Sequence, residues 1–230
     1  MYPWVTHTHA HLGGECSHKC SYCYVDDPRF GRPEKFKGPA RLMEEEFAVK
    51  YDEKTLCRAG GKFPGLIFID HRNDLFAENV PGEWIGRVID HCDIWPCNDY
   101  VFQTKNPGRY IDVLLAFPRR SLLGCTIETN RDIPAAISQA PRPQERAAYM
   151  KELKGIRPLF ITVEPIMDFD VPVLGQWLTE IDPEFVNIGA DSKGHGLPEP
   201  SADKIGALID VLNAAGIEII EKHNLGRLLK

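Results

Sequence analysis

The sequence predicts an α/β fold whose parallel sheet is open or curled into a barrel, and three observations carry that prediction. Seven short apolar runs rich in β-branched and aromatic residues recur along the 230 residues. Helix-like stretches separate most of them, and parallel neighbours need such crossovers. No internal repeat, Gly/Ser linker or low-complexity tract interrupts the pattern, so one domain over residues 1–230 is expected.

Taken in order, the strands are expected at Val5 to Ala10, Leu66 to Asp70, Tyr100 to Thr104, Leu122 to Glu128, Leu159 to Glu164, Phe185 to Ala190 and Ile217 to Glu221. The helices are expected at Met43 to Tyr51, Pro81 to Cys92, Pro107 to Ala116, Pro143 to Leu153, Val171 to Ile181 and Ser201 to Ala214. Pro81-Gly82-Glu83 and Ser201-Ala202-Asp203 mark helix starts, because a short side-chain oxygen or an early acid satisfies free N–H groups. Val25 to Gly38 is rich in Pro, Gly and charge, lacks a period, and reads as a long loop and internal lid.

Composition narrows the function classes. With 43% hydrophobic and 26% charged residues the chain is neither disordered nor collagen-like. A formal net charge of -6 repels phosphate, which disfavours general coating of nucleic acid and leaves a local basic patch for such a partner. No run approaches the roughly 20 apolar residues of a membrane helix, and Met1 to His7 lacks the basic and apolar parts of a secretion signal. A cytoplasmic location and no membrane partner are expected.

Cys16, Cys20 and Cys23 crowd into a C-x3-C-x2-C pattern directly after the first expected strand, while Cys57, Cys92, Cys97 and Cys125 are scattered. In a non-secreted chain such crowding points to metal rather than to disulfides. Soft thiolates on a wrapped loop suit three irons of an Fe–S cubane and leave the fourth iron open. The alternative is a structural zinc ion held by the three cysteines with His18, His7, His9 or His11. Cys92 and Cys97 read as buried or free thiols rather than as an auxiliary cluster.

With Tyr22 just before the third cysteine, the run Gly13 to Tyr24 resembles the radical S-adenosylmethionine superfamily. The resemblance implies a partial (β/α)6, TIM-like barrel with the cluster loop after the first strand. It also implies a [4Fe–4S] cluster on Cys16, Cys20 and Cys23, and S-adenosylmethionine chelated by the open iron with Tyr22 near its adenine. The implied activity is reductive cleavage of S-adenosylmethionine to a 5′-deoxyadenosyl radical that abstracts hydrogen from a substrate, fed by an external one-electron reductant such as a flavodoxin or ferredoxin. Asp74-Leu75-Phe76, Thr104 to Arg109, Thr126 to Asn130 and Val163-Glu164-Pro165 are similar to the compact radical-SAM proteins of phages and bacteria. The Cys-Ser-Tyr-Cys-Tyr run is similar to that of the lyase that repairs spore photoproducts in DNA. Where the superfamily often carries Gly-Gly-Glu-Pro to hold the methionine amino group, this chain has Ile69 to Asp74, which puts Asp70 and Asp74 in that position.

In parallel barrels the reactive groups gather at the carboxyl ends of strands. Period-two counting places Thr126, Glu128 and Asn130 on one face, and Phe160, Thr162 and Glu164 on one face. Glu128 or Glu164, with Asn130 nearby, is expected to hold the ribose or methionine part of the cofactor. His7, His9 and His11 also share a face, but at roughly 7 Å spacing they suit a polar lumen better than one ion. His9 or His11 is expected to contact substrate or act as acid/base. Lys105, Arg109, Lys222 and Lys193 would form a positive region for a carboxylate or phosphate, with Asp191 completing the catalytic or substrate-binding set.

The expected substrate is a nucleotide, a modified nucleoside or a nucleic-acid base. The alternatives are a small metabolite or peptide as substrate, or a zinc or Fe–S interaction or redox-sensing module without chemistry. A chain of 230 residues leaves little for a separate substrate domain, so a barrel mouth that is open or covered by a partner protein is expected.

Overall fold

The computed structural model describes residues 2–26, 34–49 and 66–230. The chain divides into two compact units, Met1–Ser17 with Tyr24–Leu122, and His18–Cys23 with Leu123–Lys230. In chain order the elements are β1 (His7–His9), β2 (Leu12–Gly13), β3 (Arg41–Leu42), β4 (Leu66–Ile69), α1 (Gly82–Asp93), β5 (Asp99–Thr104), α2 (Gly108–Asp112) and β6 (Ser121–Thr126). They continue with α3 (Pro143–Glu152), β7 (Leu159–Val163), α4 (Val171–Ile181), β8 (Phe185–Ile188), α5 (Ala202–Ala214) and β9 (Glu218–Glu221). Seven strands form an open sheet in the order β1-β4-β5-β6-β7-β8-β9, in which β4 runs parallel to β1 and β5, and β7, β8 and β9 run parallel in succession after β6. All seven expected strands are present. The short antiparallel pair of β2 and β3, which the sequence did not suggest, joins Leu12 to Leu42.

Two expected helices differ. Over Met43 to Tyr51 the described part is a 3-10 turn, Glu44–Ala48, and residues 50 and 51 lie outside the described residues. Its first residue follows an extended Met43 that supplies no side-chain cap, and Val49 is extended again, so only a short turn forms. Over Pro107 to Ala116 the helix stops at Asp112, because Val113 turns to φ -123° and the chain is then drawn towards Phe117-Pro118, which cannot continue a helix. The long loop expected over Val25 to Gly38 is described at its ends, by 3-10 turns at Tyr24–Asp26 and Glu34–Phe36. Residues 27–33 and Cys57 lie outside the described residues.

In the first unit an aromatic cluster fixes the carboxyl ends of β4 and β5. The Phe76 ring meets Tyr110 at 4.6 Å and Phe102 meets Phe117 at 4.9 Å, both edge to face. Pairs of this geometry contribute about 0.5–1.5 kcal/mol each beyond their buried area. The second unit is held by β7, buried along its whole length, and by α4 and α5, which approach where Gly175 leaves room for Val211. As the sequence suggests, Ser201 caps α5 by accepting from the Lys204 N–H. Among the described residues no helix is long and apolar enough to cross a membrane.

Gly124 on β6 is required by close packing: a Cβ there would lie 2.1 Å from the ring of Phe160. That ring is fully buried and stacks on Phe185 at 5.4 Å, so it has no room to withdraw. Gly124→Ala is expected to cost about 1–3 kcal/mol by overpacking, read as a lower urea midpoint with an unchanged slope. An unchanged midpoint would show that Phe160 yields freely.

Candidate active site

Glycines prepare the approach to the cysteine loop. Gly14 has φ +79°, and a Cβ there would lie 2.0 Å from the Pro39 carbonyl oxygen, so only glycine fits. Backbone bonds from Gly14 N to Lys35 O and from Glu15 N to Gly38 O, both 2.8 Å, hold the chain just before Cys16. Cys16 belongs to the first unit and Cys20 and Cys23 to the second. All three are partly exposed thiols outside any disulfide. Cys92 is likewise a thiol, fully buried, whereas Cys97 departs from its expected state and is disulfide-bonded.

In the second unit the loop is fastened to segment 137–139. The Gln139 N–H donates to His18 O at 2.7 Å and the Ser21 N–H to Ile137 O at 2.8 Å. The Ser138 hydroxyl lies 3.2 Å from Cys20 Sγ. Tyr22 donates from its hydroxyl to Glu128 Oε1 at 2.5 Å, and Glu128 Oε2 accepts from Arg146 Nη1 at 2.7 Å. Glu128 and Arg146 are both 0% exposed. Burial and then the negative Glu128 push the Tyr22 phenol well above its ordinary pKa. Arg146 spends further donors on Pro141 O and Thr126 O. Glu128 therefore faces Tyr22 and a buried cation, and it ties the cysteine loop to the end of β6.

The other expected strand-end groups of this unit are spread over two clusters. Glu164, just after β7, pairs with Lys222, just after β9, at 2.7 Å. Gly189 permits this, since a Cβ there would come within 2.9 Å of the Glu164 carboxylate. Asp191 accepts from the His195 ring Nδ1 at 2.6 Å and from the backbone N–H groups of Lys193 and His195. Burial alone would raise its pKa, but these donors hold it below the ordinary value. Asn130 braces a neighbouring loop: its amide donates to Asp170 Oδ2 and its carbonyl accepts the Asp170 N–H.

In the first unit Asp74 is occupied by internal donors, Thr104 Oγ1 at 2.7 Å, Lys105 N at 2.8 Å and Phe76 N at 2.9 Å. The expectation that Arg109 serves a phosphate or carboxylate meets a different arrangement. Its Nη1 donates to Ala77 O and Val80 O at 2.7 and 2.6 Å, because α2 begins directly over the loop that follows β4. Lys105 is partly exposed. Asp70 has φ +53° and accepts the N–H groups of His11 and Leu12, each at 2.8 Å. Burial lifts its pKa to about 7.

The histidines do not stand in the register that period-two counting gives. His7 is exposed, while His9 and His11 are buried with rings only 4.0 Å apart, because β1 ends at His9 and alternation ends with it. Burial pushes the His9 ring down to about 4 and the His11 ring to about 2. His91 on α1 joins them, 2.8 Å from His11. Sequence reasoning passed over His91 and Arg146, yet both carry a signal. Arg146 falls on the buried stripe Pro143, Arg146, Ala147, Met150, and His91 follows buried Val88 by three residues.

A profile of the family described as "Protein of unknown function (DUF5131)" matches residues 2–210. No curated protein matches the chain. Among solved structures, a cysteine-to-serine variant of spore photoproduct lyase superposes with a TM-score of 0.60 at 16% identity, over 82% of this chain and 57% of that one. A lyase variant with bound AdoMet and dinucleoside spore photoproduct gives 0.59 at 14%, over 93% and 62%. Streptococcus suis SuiB bound to precursor peptide SuiA gives 0.64 at 10%, over 96% and 50%. The chain thus spans less than two thirds of each of these proteins. Both are radical S-adenosylmethionine enzymes, and the open parallel sheet is the partial barrel that the cysteine motif implied.

Removing one member of the buried ion pair is predicted to be costly. Arg146→Ala would leave Glu128 buried without its cation and lower stability by about 3–5 kcal/mol. Adding Glu128→Gln in that background should recover part of the loss, which urea unfolding of both variants measures. Equal losses in the single and double variants would show that the charge is not what matters.

Proposed function

The chain belongs to the DUF5131 family, and on that premise we propose that it is a radical S-adenosylmethionine enzyme. The observation that carries the reading is the C-x3-C-x2-C set of thiols on the loop after β2, in a fold similar to those of spore photoproduct lyase and SuiB. Cys16, Cys20 and Cys23 would hold a [4Fe–4S] cluster. The donor types fit the group: three soft thiols outside disulfides, each partly exposed, with Cys20 and Cys23 on a segment braced by Ser138 and Tyr22. When bound and reduced, the cluster supplies the electron that splits S-adenosylmethionine into methionine and a 5′-deoxyadenosyl radical.

The chain's own residues orient and exclude. Ser138 is placed to donate to the Cys20 sulfur, which stabilises a thiolate. Tyr22, anchored by Glu128, fixes the turn between Cys20 and Cys23 and presents an aromatic ring for the cofactor's adenine. The Glu164–Lys222 pair and Asp191 are proposed as the polar lining at the strand ends of the second unit, and Lys105, Asp70, Asp74, His9 and His11 as that of the first. Asn130 and Arg109 act through the loops that they brace. An external one-electron donor such as a flavodoxin or ferredoxin and a cytoplasmic location belong to the same proposal, as does a single functional domain.

For the substrate we favour a nucleotide, modified nucleoside or nucleic-acid base, supported by the dinucleoside held by the lyase in its solved complex. The peptide on SuiB is the observation behind a second reading, a peptide substrate. Anaerobic reconstitution with iron and sulfide, followed by S-adenosylmethionine and dithionite, is expected to yield 5′-deoxyadenosine, and Cys20→Ala should abolish it. Iron-loaded protein that leaves S-adenosylmethionine intact would overturn the proposal. Oligonucleotide binding that weakens with salt would support the nucleic-acid reading, and none at low salt would favour the peptide.

A further inference from the structure

His9, His11 and His91 form a second cluster of ligating groups, separate in sequence from the three cysteines. One ring nitrogen from each lies within 4.8 Å of the others. The ring centroids of His11 and His91 are 5.1 Å apart and those of His9 and His91 5.8 Å. All three residues are buried, at 6%, 0% and 6% exposure.

The hydrogen bonds around them select the tautomers. His91 Nε2 faces the Val49 carbonyl at 3.1 Å, so that nitrogen carries the proton and Nδ1 presents a lone pair. His9 Nε2 faces Glu46 Oε2 at 3.2 Å and donates there. His11 Nε2 sits 2.8 Å from His91 Nδ1, and His11 Nδ1 sits 3.9 Å from Asp70 Oδ2. Two neutral arrangements exist, and neither satisfies the group. If His11 Nε2 carries the proton, His11 Nδ1 and Asp70 Oδ2 are left as buried acceptors, and neither atom has a hydrogen-bond partner. If His11 Nδ1 carries it, towards Asp70, two lone pairs oppose each other at 2.8 Å.

A cation resolves both difficulties, and we propose that His9, His11 and His91 bind a divalent transition-metal ion such as zinc. Each ring would then keep its second N–H directed at an acceptor, Glu46 for His9, Asp70 for His11 and the Val49 carbonyl for His91, which is the outer-shell pattern of histidine metal sites. A shared proton would serve only His11 and His91, whereas three nitrogens converge here. Zinc–nitrogen bonds of about 2.0–2.1 Å set the nitrogens roughly 3.3 Å apart, a small opening of the His11–His91 distance. The fourth position is open to water. The ion would join the end of β1, the 3-10 turn at Glu44–Ala48 and α1.

The test uses the full chain with its cysteines intact. Chelator-stripped protein is titrated with zinc against a chromophoric competitor, and with cobalt(II) for its visible spectrum. One site is expected whose cobalt bands lack thiolate charge transfer and which persists in Cys20→Ala. His11→Gln and His91→Gln should weaken zinc at that site by more than about 100-fold and Asp70→Asn by about 10–100-fold, with circular dichroism unchanged. Cobalt spectra showing thiolate ligands only, or undiminished zinc binding in both histidine variants, would overturn the assignment. Because this readout needs neither iron nor S-adenosylmethionine, its failure is distinct from failure of the radical-enzyme reading.

Discussion

The buried pair of Glu128 and Arg146 is the interaction on which the arrangement of the second unit's site depends. Neither charge reaches water, so each is tolerable only through the other and through the hydrogen bonds around them. Glu128 sits two residues past β6 and Arg146 in α3, so the pair joins strand end to helix. Its remaining oxygen takes the Tyr22 hydroxyl, which locks the stretch between Cys20 and Cys23 against the end of the strand. Such an anchor suits the proposed role of the loop, since ligand atoms are best held in place before a metal arrives. Ser138 and the backbone bonds to segment 137–139 fasten the same loop from its other side.

Close approach is the second recurrent constraint. Gly14 admits the Pro39 carbonyl, Gly124 admits the Phe160 ring and Gly189 admits the Glu164 carboxylate. In each place a side chain would displace a group that the fold or the site uses. The third case bears on chemistry, because it lets Glu164 meet Lys222 at the ends of β7 and β9.

What could be read from the chain alone follows from the range of the interactions involved. The seven strands were legible because each is a short run of β-branched and aromatic residues. The cysteine loop was legible because three ligands within eight residues form a local pattern. The family-scale resemblance to radical-SAM proteins rested on the same residues, and the fold agrees with it. The helix over Met43 to Tyr51 was not legible: its apolar residues suit a helix, but β3 and an uncapped start intervene. The internal partners of Arg109 and Asp74 were not legible for a similar reason. Their partners, the carbonyls of Ala77 and Val80 and the hydroxyl of Thr104, lie about 30 residues away in sequence. His91 needed α1 to bring it to His11, an approach that no spacing along the chain expresses.

Two chemically distinct sets of side chains are thus proposed as ligands, soft thiols on the loop after β2 and imidazoles at the end of β1 with α1. The central claim concerns the first. Low-temperature electron paramagnetic resonance of the reconstituted, dithionite-reduced chain, recorded with and without S-adenosylmethionine, tests it most directly. The account predicts a reduced [4Fe–4S] signal whose line shape changes when S-adenosylmethionine is added, because three cysteines would leave one iron open to the cofactor. A cluster signal indifferent to S-adenosylmethionine, or tightly held zinc in place of iron on the three cysteines, would contradict it.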